Sequence, residues 1–329
     1  MSSPAVALHR ALPKRARLSN LPPIDFSLGA GAHALVGTPA DGTLIVASLL
    51  GGLEASASGR VTVAGRDPAR DPALRAKLGV TLDTPCLPPG RRVADVLRAV
   101  DNLRGDESAG RALTTFGLSH LGDRTWASLV RADRRALDLV VAASTKDPIA
   151  LVLTEPCADV TALDRQRLAE TLRHAALAGA CVIVITACMS DAVELADTIH
   201  IFEQGRIARW VPVDETGMLV PGRSVELRVE ADLPRLLVGA LADSPAVSGI
   251  DWTQEGRGAV LAIRGENLDE LALALAGAAT EAGVSVRSIA PVAPGLDEVR
   301  AASSGLALAA RQAAYQAYLA YARKRAGEA

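Results

Sequence analysis

Residues 35–53 read Leu-Val-Gly-Thr-Pro-Ala-Asp-Gly-Thr-Leu-Ile-Val-Ala-Ser-Leu-Leu-Gly-Gly-Leu, and this stretch decides the fold. The apolar run from Ala34 to Val36 predicts a buried strand, and the run from Gly42 to Leu50 predicts a helix. A buried strand that enters a helix through a glycine-containing turn is typical of a largely parallel sheet with crossover helices. The stretch therefore predicts an α/β protein.

The turn between this strand and helix contains Gly37 and Gly42, with four residues between them. Two glycines at this spacing form the frame of a P-loop, in which backbone N–H groups at a helix N-terminus surround phosphate oxygens. The frame is weak evidence by itself, because a plain joint between a strand and a helix has the same pattern. Both interpretations remain open at this point.

Composition and charge exclude several classes of protein. The 329 residues include 35 Lys and Arg against 37 Asp and Glu, which gives a formal charge of −2 with neutral histidines. This balance does not favour binding to nucleic acid. The 49% apolar content is typical of a globular chain, and the length favours two domains. Uncharged apolar stretches such as Leu44 to Leu50 are far shorter than the roughly 20 residues that span a bilayer.

The cysteines and histidines predict neither disulfides nor a metal site. Cys86, Cys157, Cys181 and Cys188 form no CxxC pair, and four thiols in so long a chain do not make a disulfide framework. The five histidines lie far apart without the spacing of ligands, so surface or packed histidines are expected instead of a zinc site. No apolar segment of a secretory signal follows the basic N-terminus, and a reducing cytoplasm is the expected location.

The first part of the chain contains further strand and helix patterns. Uninterrupted apolar runs predict buried strands from Ile149 to Leu153 and from Cys181 to Thr186. Helical patterns extend from Arg134 to Ser144 and from Thr161 to Ala178. Because strands and helices alternate, this part of the chain is expected to form one α/β domain.

The sequence divides into five predicted regions. They are a basic N-terminal segment at 1–20, the α/β domain at 21–212, a turn-rich linker at 213–223, a small domain at 224–294 and a helix at 295–329. The small domain has the order strand, helix, strand, strand, helix, strand, which is that of a ferredoxin-like plait. Plaits of this kind have many functions, so the order alone does not indicate a role.

The last region is rich in alanine and contains all three tyrosines, at a spacing of three. From Arg300 onward it has five Lys or Arg against Glu328 alone. Such a helix either packs its tyrosines on its own domain or docks on a partner or an anionic membrane surface. The candidate partner-contact residues are Tyr315, Tyr318, Tyr321, Arg323, Lys324 and Arg325.

Five segments resemble, in order and spacing, those of the ATP-binding subunit of an ABC transporter over about residues 20 to 212. They are the P-loop stretch, the strand and turn at 59–68, the Q-loop region at 78–97, the Walker B strand at 147–156, and the switch strand with its helix and hairpin at 182–207. Five such segments in order are hard to obtain by chance. The plait, which ends at 286–300, resembles the appendix of many exporter-type subunits.

The resemblance implies a P-loop NTPase-like ABC nucleotide-binding fold, followed by a small ferredoxin-like α+β domain and a C-terminal helix. In the P-loop, the family's phosphate-binding Lys falls on Thr43 and its magnesium-binding Ser or Thr falls on Leu44, while Asp41 adds a carboxylate. Two lost charge-assisted contacts weaken binding by roughly 10²- to 10⁴-fold. The nucleotide-binding equivalents in this loop are Gly37, Thr38, Pro39, Ala40, Asp41, Gly42, Thr43, Leu44 and Ile45.

The other motifs of the family also carry different residues. The Walker B aspartate falls on Thr154, the Q-loop glutamine on Asp83 and the switch histidine on Ala187. Glu155 keeps the place of the general base, but a base without a placed metal and phosphate has little to act on. The resemblance thus implies an inactive Glu155 and weak or no binding of Mg-ATP. The signature-motif equivalents are Val130, Arg131, Ala132 and Asp133.

Three functions are compatible with such a scaffold. The first, which we expect, is a non-hydrolysing subunit of an ABC export complex, peripheral on the inner face of the membrane. Its partners would be transmembrane permease subunits and a catalytic ABC subunit, or a second copy of itself. The second is a regulatory or interaction module that has left transport and uses the basic tail. The third is an ATPase with unusual motifs, with Glu155 as base.

Overall fold

A computed structural model describes residues 4–13, 22–82, 91–158, 160, 162–220, 223–230, 234–255, 258–292 and 294–302. The chain divides into two compact units between Val213 and Asp214. Each unit has its own sheet and its own buried core.

The first unit contains a nine-stranded mixed sheet in the order β4-β1-β2-β9-β8-β3-β7-β6-β5. The pairs that join β5, β6, β7, β3 and β8 are parallel, whereas β1 pairs antiparallel with β2 and β4. The predicted α/β class is confirmed. The strands are β1 (Val6–Pro13), β2 (Ile24–Leu28), β3 (Gly31–Val36), β4 (Ser56–Val63), β5 (Leu78–Val80), β6 (Ala150–Thr154), β7 (Cys181–Thr186), β8 (Thr198–Glu203) and β9 (Arg206–Pro212).

Helices cover both faces of the parallel strands. On β7, Ile183 packs in one cluster with Val46 of α1, while Val182 and Val184 pack in another with Leu168 of α6. Burial on both faces explains why β7 is continuously apolar. The helices described in this unit are α1 (Thr43–Leu50), α2 (Pro72–Arg75), α3 (Val93–Arg104), α4 (Ser108–Thr115), α5 (Arg131–Ala143), α6 (Ala162–Leu177) and α7 (Met189–Leu195).

The N-terminal region differs from the prediction. Within the predicted N-terminal segment, Val6–Pro13 is part of the α/β domain, because this strand, β1, lies between β4 and β2 in the sheet. Val6 and Leu8 are fully buried, whereas His9 and Arg10 are exposed. The pairing shifts register next to Arg10, which has a positive φ of 46°. A charged, irregular stretch inside the strand hid its alternating pattern.

The second unit is a ferredoxin-like plait, as predicted. Its sheet has the order β11-β12-β10-β13, and all three pairings are antiparallel. Leu227 and Leu261 on the sheet pack with Leu237 and Leu275 on the two helices. The elements are β10 (Arg223–Glu230), α8 (Pro234–Ala242), β11 (Gly249–Glu255), β12 (Gly258–Gly265), α9 (Leu268–Glu281) and β13 (Ser285–Val292).

The predicted C-terminal helix is described only at its start, where residues 296–302 are helical. The six candidate contact residues between 315 and 325 lie outside the described part of the chain. Within the described part, no helix combines the length and the apolar character needed to cross a bilayer.

Candidate nucleotide site

The loop between β3 and α1 is closed by its own side chains. The backbone N–H of Thr38 donates to Asp41 Oδ2 at 2.8 Å, and the Thr38 hydroxyl donates to the same oxygen at 2.6 Å. Residues Pro39–Asp41 form a 3-10 turn, in which the N–H of Asp41 donates to Thr38 O and that of Gly42 to Pro39 O. Three backbone N–H groups therefore donate to acceptors within the loop, and Pro39 has no N–H group.

The two glycines have different roles in this loop. Gly42 has a φ of +94°, a left-handed conformation that L side chains rarely adopt, and it begins helix α1. Gly37 is needed for space, because a Cβ there would lie 2.7 Å from the carbonyl oxygen of Phe202 and 3.1 Å from Thr43 Cγ2. The loop is also held from outside, since the N–H of Gly205 donates to Asp41 O at 3.0 Å.

The positions of the expected lysine and hydroxyl residues lie in the first turn of α1. Thr43 is 1% exposed, and its hydroxyl donates to the carbonyl oxygen of Thr38 at 3.0 Å. The Thr43 side chain therefore links the first turn of α1 to the start of the loop. Leu44 and Ile45 are partly buried and carry no oxygen ligand for a cation. Ala40 and Pro39 are exposed at the tip.

Glu155 follows β6, and its carboxylate is bound to the end of β7. The Thr186 hydroxyl donates to Oε2 and the Ala187 backbone N–H donates to Oε1, both at 2.9 Å. Glu155 has a positive φ of 44°, an uncommon conformation for a residue with a Cβ. Both oxygens are therefore turned toward the switch strand. The structure thus brings Glu155 and Ala187 into direct contact.

Thr154 and Arg135 lie behind Glu155. The Thr154 backbone N–H donates to the Thr81 hydroxyl at 3.0 Å, and Thr154 Oγ1 is buried without a hydrogen-bond partner. Arg135, 7% exposed, donates to the carbonyl oxygens of Leu82 at 2.8 Å and Glu155 at 2.9 Å. Arg135 thus ties α5 to the ends of β5 and β6, a role that the sequence analysis missed. A charged residue on the buried face of a predicted helix was the available signal.

The signature equivalents begin helix α5. Val130 is the exposed N-cap residue and its side chain makes no capping hydrogen bond. Arg131 and Ala132 are exposed, and Asp133 pairs with Arg124 at 3.6 Å. This pair reduces the negative charge at the helix start. The Q-loop equivalent Asp83 lies outside the described residues.

A cleft of about 310 Å³ lies beside α5 and contains two groups that the sequence analysis did not single out. Burial raises the pKa of the Asp138 carboxyl to about 6, partly offset by the charge of Arg135. Arg104 donates to Val141 O at 2.8 Å, and burial lowers the pKa of its guanidinium. The other residues that line the cleft are Gly51, Leu53, Arg75, Leu78, Val80, Leu82, Val141 and Ala142.

Two of the histidines form a packed pair. His33 Nδ1 and His200 Nε2 are 3.2 Å apart on the neighbouring strands β3 and β8. Burial, together with the neighbouring His33, lowers the pKa of His200 to about 4. Burial also lowers the pKa of His33 below its ordinary value, so both rings are neutral near pH 7. In the described part of the chain, no group of three or more His, Cys, Asp or Glu could hold a metal ion.

A curated relative decides the family. The chain is 30% identical over 287 residues to the daunorubicin resistance ATP-binding protein DrrA2 of Streptomyces coeruleorubidus, covering 84% of this chain and 87% of that protein. This chain belongs to the ATP-binding subunits of ABC transporters. The aliphatic sulfonates import ATP-binding protein SsuB of Cupriavidus necator is another such relative, 33% identical over 179 residues, 53% of this chain and 58% of that protein. No family model matches the sequence.

Solved structures support the ABC fold of this subunit. An ATP-binding subunit of an ABC transporter superposes with a TM-score of 0.58 at 19% identity, covering 65% of this chain and 92% of that one. A bacterial Atm1-family ABC exporter with ATP bound gives a TM-score of 0.56 at 20% identity, covering 66% of this chain and 40% of that one. At these identities the likeness concerns the fold alone.

Proposed function

We propose that this ABC subunit is a non-hydrolysing member of an export complex, which passes the movements of a catalytic partner to transmembrane permease subunits. The observation that carries the proposal is the Asp41 carboxylate, which accepts two hydrogen bonds inside the loop where phosphate would bind. A loop that already contains its own anion has little capacity for a second one.

Electrostatics strengthen this argument. Two unit charges 4 Å apart repel each other by about 1 kcal/mol in water and about 4 kcal/mol near a protein surface. A triphosphate carries several negative charges, so repulsion by Asp41 adds to the absence of a lysine at Thr43. The residues present do not fit Mg-ATP, since Thr43 is buried and Leu44 offers no oxygen to a cation. We therefore propose weak or no binding of Mg-ATP.

The arrangement around Glu155 supports the absence of hydrolysis. Its carboxylate is occupied by the Thr186 hydroxyl and the Ala187 N–H. A general base has to reach the attacking water, directly or through one other water molecule. Thr154, adjacent to Glu155, supplies no carboxylate for a metal shell. We propose that Glu155 is now a structural link between β6 and β7.

The export role is proposed from relatives and from what the fold retains. DrrA2 is named for resistance to daunorubicin, and the alignment with it covers 84% of this chain, more than the first unit alone provides. The parallel core and the helices of the first unit keep the scaffold on which such subunits transmit motion. We propose a location on the cytoplasmic face of the membrane, with a permease and a catalytic ABC subunit, or a second copy, as partners.

Nucleotide binding can be tested with a matched pair of proteins. The thermal midpoint of the full chain should not change in millimolar Mg-ATP. A triple variant, Asp41→Gly with Thr43→Lys and Leu44→Ser, should gain a rise of a few degrees. A ligand at 100 times its Kd adds about 2.7 kcal/mol, which is about 6 °C for a unit of the size of Met1–Val213. A clear shift in the unaltered chain would contradict the proposal.

Two further measurements separate the alternatives. Glu155→Gln should leave any residual Mg-ATP turnover unchanged, whereas a loss of several orders of magnitude would favour an ATPase with unusual motifs. Cross-linking in native membranes should capture this chain with a transmembrane subunit and a second ABC subunit. A chain that stays apart from both would favour a regulatory module outside transport.

A further inference from the structure

Helix α5 belongs to two buried clusters at once. Its Leu137 packs with side chains of α3 and α4, among them Leu97 and Leu113. Its Leu139 and Ala142 pack in a different cluster, with side chains of β6, β7 and α6. A displacement of the cluster around α3 and α4 would therefore reach the sheet through α5.

Arg135 extends from α5 to the ends of two strands. Its guanidinium donates to the carbonyl oxygen of Leu82, just after β5, at 2.8 Å and to that of Glu155, just after β6, at 2.9 Å. The residue is only 7% exposed. Hydrogen bonds from a buried cation are strong and costly to break, so they hold α5 and the two strand ends in one arrangement.

The backbone of Glu155 has a conformation that a residue with a Cβ rarely adopts. Its φ is 44°, and such conformations persist only where neighbouring groups fix them. The Glu155 carbonyl oxygen accepts from Arg135 and from the Ala158 N–H at 3.1 Å, and the Glu155 N–H donates to Ile185 O at 2.7 Å. The bond from Arg135 is the one among these three that depends on the position of α5. Arg135 therefore helps to fix the backbone that directs the Glu155 carboxylate toward the end of β7.

We propose that Arg135 is a positioning residue, which keeps the Glu155 carboxylate bound to the end of β7 for as long as α5 stays against the sheet. Movement of α5 away from β5 and β6 withdraws the guanidinium from the Glu155 carbonyl oxygen. The backbone of Glu155 can then leave its positive φ, and the carboxylate separates from Ala187. This inference rests on the proposed function, in which Glu155 links β6 to β7, and adds a means by which a partner that moves α5 controls that link.

Hydrogen exchange of the Ala187 N–H, which donates to Glu155 Oε1 at 2.9 Å, reports this contact directly. The full chain is measured without nucleotide and at single-residue resolution. Asp138→Asn is the background, because burial raises the pKa of the Asp138 carboxyl and the charge of Arg135 partly offsets this, so that loss of Arg135 alone would also disturb Asp138. In this background, Arg135→Met should speed exchange at Ala187 about tenfold, which corresponds to about 1.4 kcal/mol.

Arg134→Met is the matched control. Arg134 also donates from α5 to a backbone carbonyl oxygen, that of Ala127 at 3.0 Å, so its loss removes a bond of the same kind that does not involve Glu155. Exchange at Ala187 should stay unchanged in this variant. Arg135→Lys keeps a cation with fewer donors and should speed exchange less than Arg135→Met does. The amides of β3 should stay protected throughout, and if Arg135→Met loses that protection, Arg135→Lys takes its place in the comparison.

A second background shows whether Arg135 acts through Glu155. Glu155→Ala removes the acceptor, so exchange at Ala187 should already be fast, and Arg135→Met should add nothing to it. The proposal is overturned if Arg134→Met acts as strongly as Arg135→Met, if Arg135→Met leaves the rate unchanged, or if its effect persists after Glu155→Ala. Because no nucleotide is present, binding of Mg-ATP by the chain would contradict the proposed function and leave these expected rates as they are.

Discussion

At the scale of single residues, Asp138 is a carboxyl group whose ionisation the fold opposes. Its carboxyl has a pKa of about 6 in the folded protein, because burial beside the cleft outweighs the charge of Arg135. Between pH 3.8 and pH 6 the folded state therefore holds this proton more tightly than the unfolded state does. The folded chain loses stability as pH rises through that window, and the loss persists above it.

Asp138→Asn should consequently stabilise the first unit at pH 7.5 and have almost no effect below pH 4. Two pKa units correspond to about 3 kcal/mol, which is the upper limit of the gain. Urea unfolding of both proteins at several pH values measures it. Asp123→Asn, at an exposed position, is the control and should change stability little at any pH. A gain for Asp138→Asn that grows toward low pH would contradict the assignment.

At the scale of elements, Gly79 sets how closely α5 approaches the sheet. A Cβ on Gly79 would collide with the carbonyl oxygen of Ala142 on α5 and would lie 2.6 Å from Leu151 Cδ2 on β6. The carbonyl belongs to the backbone of a helix, so it cannot turn aside as a flexible side chain would. The position of α5 matters because Arg135 on that helix binds the backbone of Glu155.

Gly79→Ala should therefore lower the free energy of unfolding of the first unit by about 1–3 kcal/mol. Gly29→Ala is the matched control, because nothing lies within 4 Å of a Cβ at that position. Chemical denaturation of the two variants makes the comparison. Equal stabilities would show that α5 can move away from β5 without cost.

The strands also differ in how well the sequence predicts them. Cys181–Thr186 was predicted to the residue, because a strand buried on both faces leaves an uninterrupted apolar run. Strand β1 was missed because its register changes beside a charged residue. The position of Glu155 was predictable from spacing. Its bonds to Thr186 and Ala187 were not, since they depend on a positive φ that no local sequence pattern required.

At the scale of the whole molecule, two units with separate cores should unfold in separate steps. Leu227 is fully buried in the core of the plait, so Leu227→Ala should destabilise the second unit by about 2–5 kcal/mol. Hydrogen exchange resolved by peptide should show faster exchange in residues 223–292 and unchanged exchange in β3, β6 and β7. Faster exchange in both units would mean that they unfold as one.

Neighbouring strands of the nine-stranded sheet share very different numbers of paired residues, and this difference affects how the first unit unfolds under force. Strands β3 and β7 pair over six positions, Gly31–Val36 with Cys181–Thr186, whereas β2 and β9 share a single register pair, Asp25 with Arg206. Under a pulling force, a sheet parts where the fewest bonds share the load. Strands β4, β1 and β2 would then separate from the sheet together, and the strands from β9 to β5 would keep their pairing.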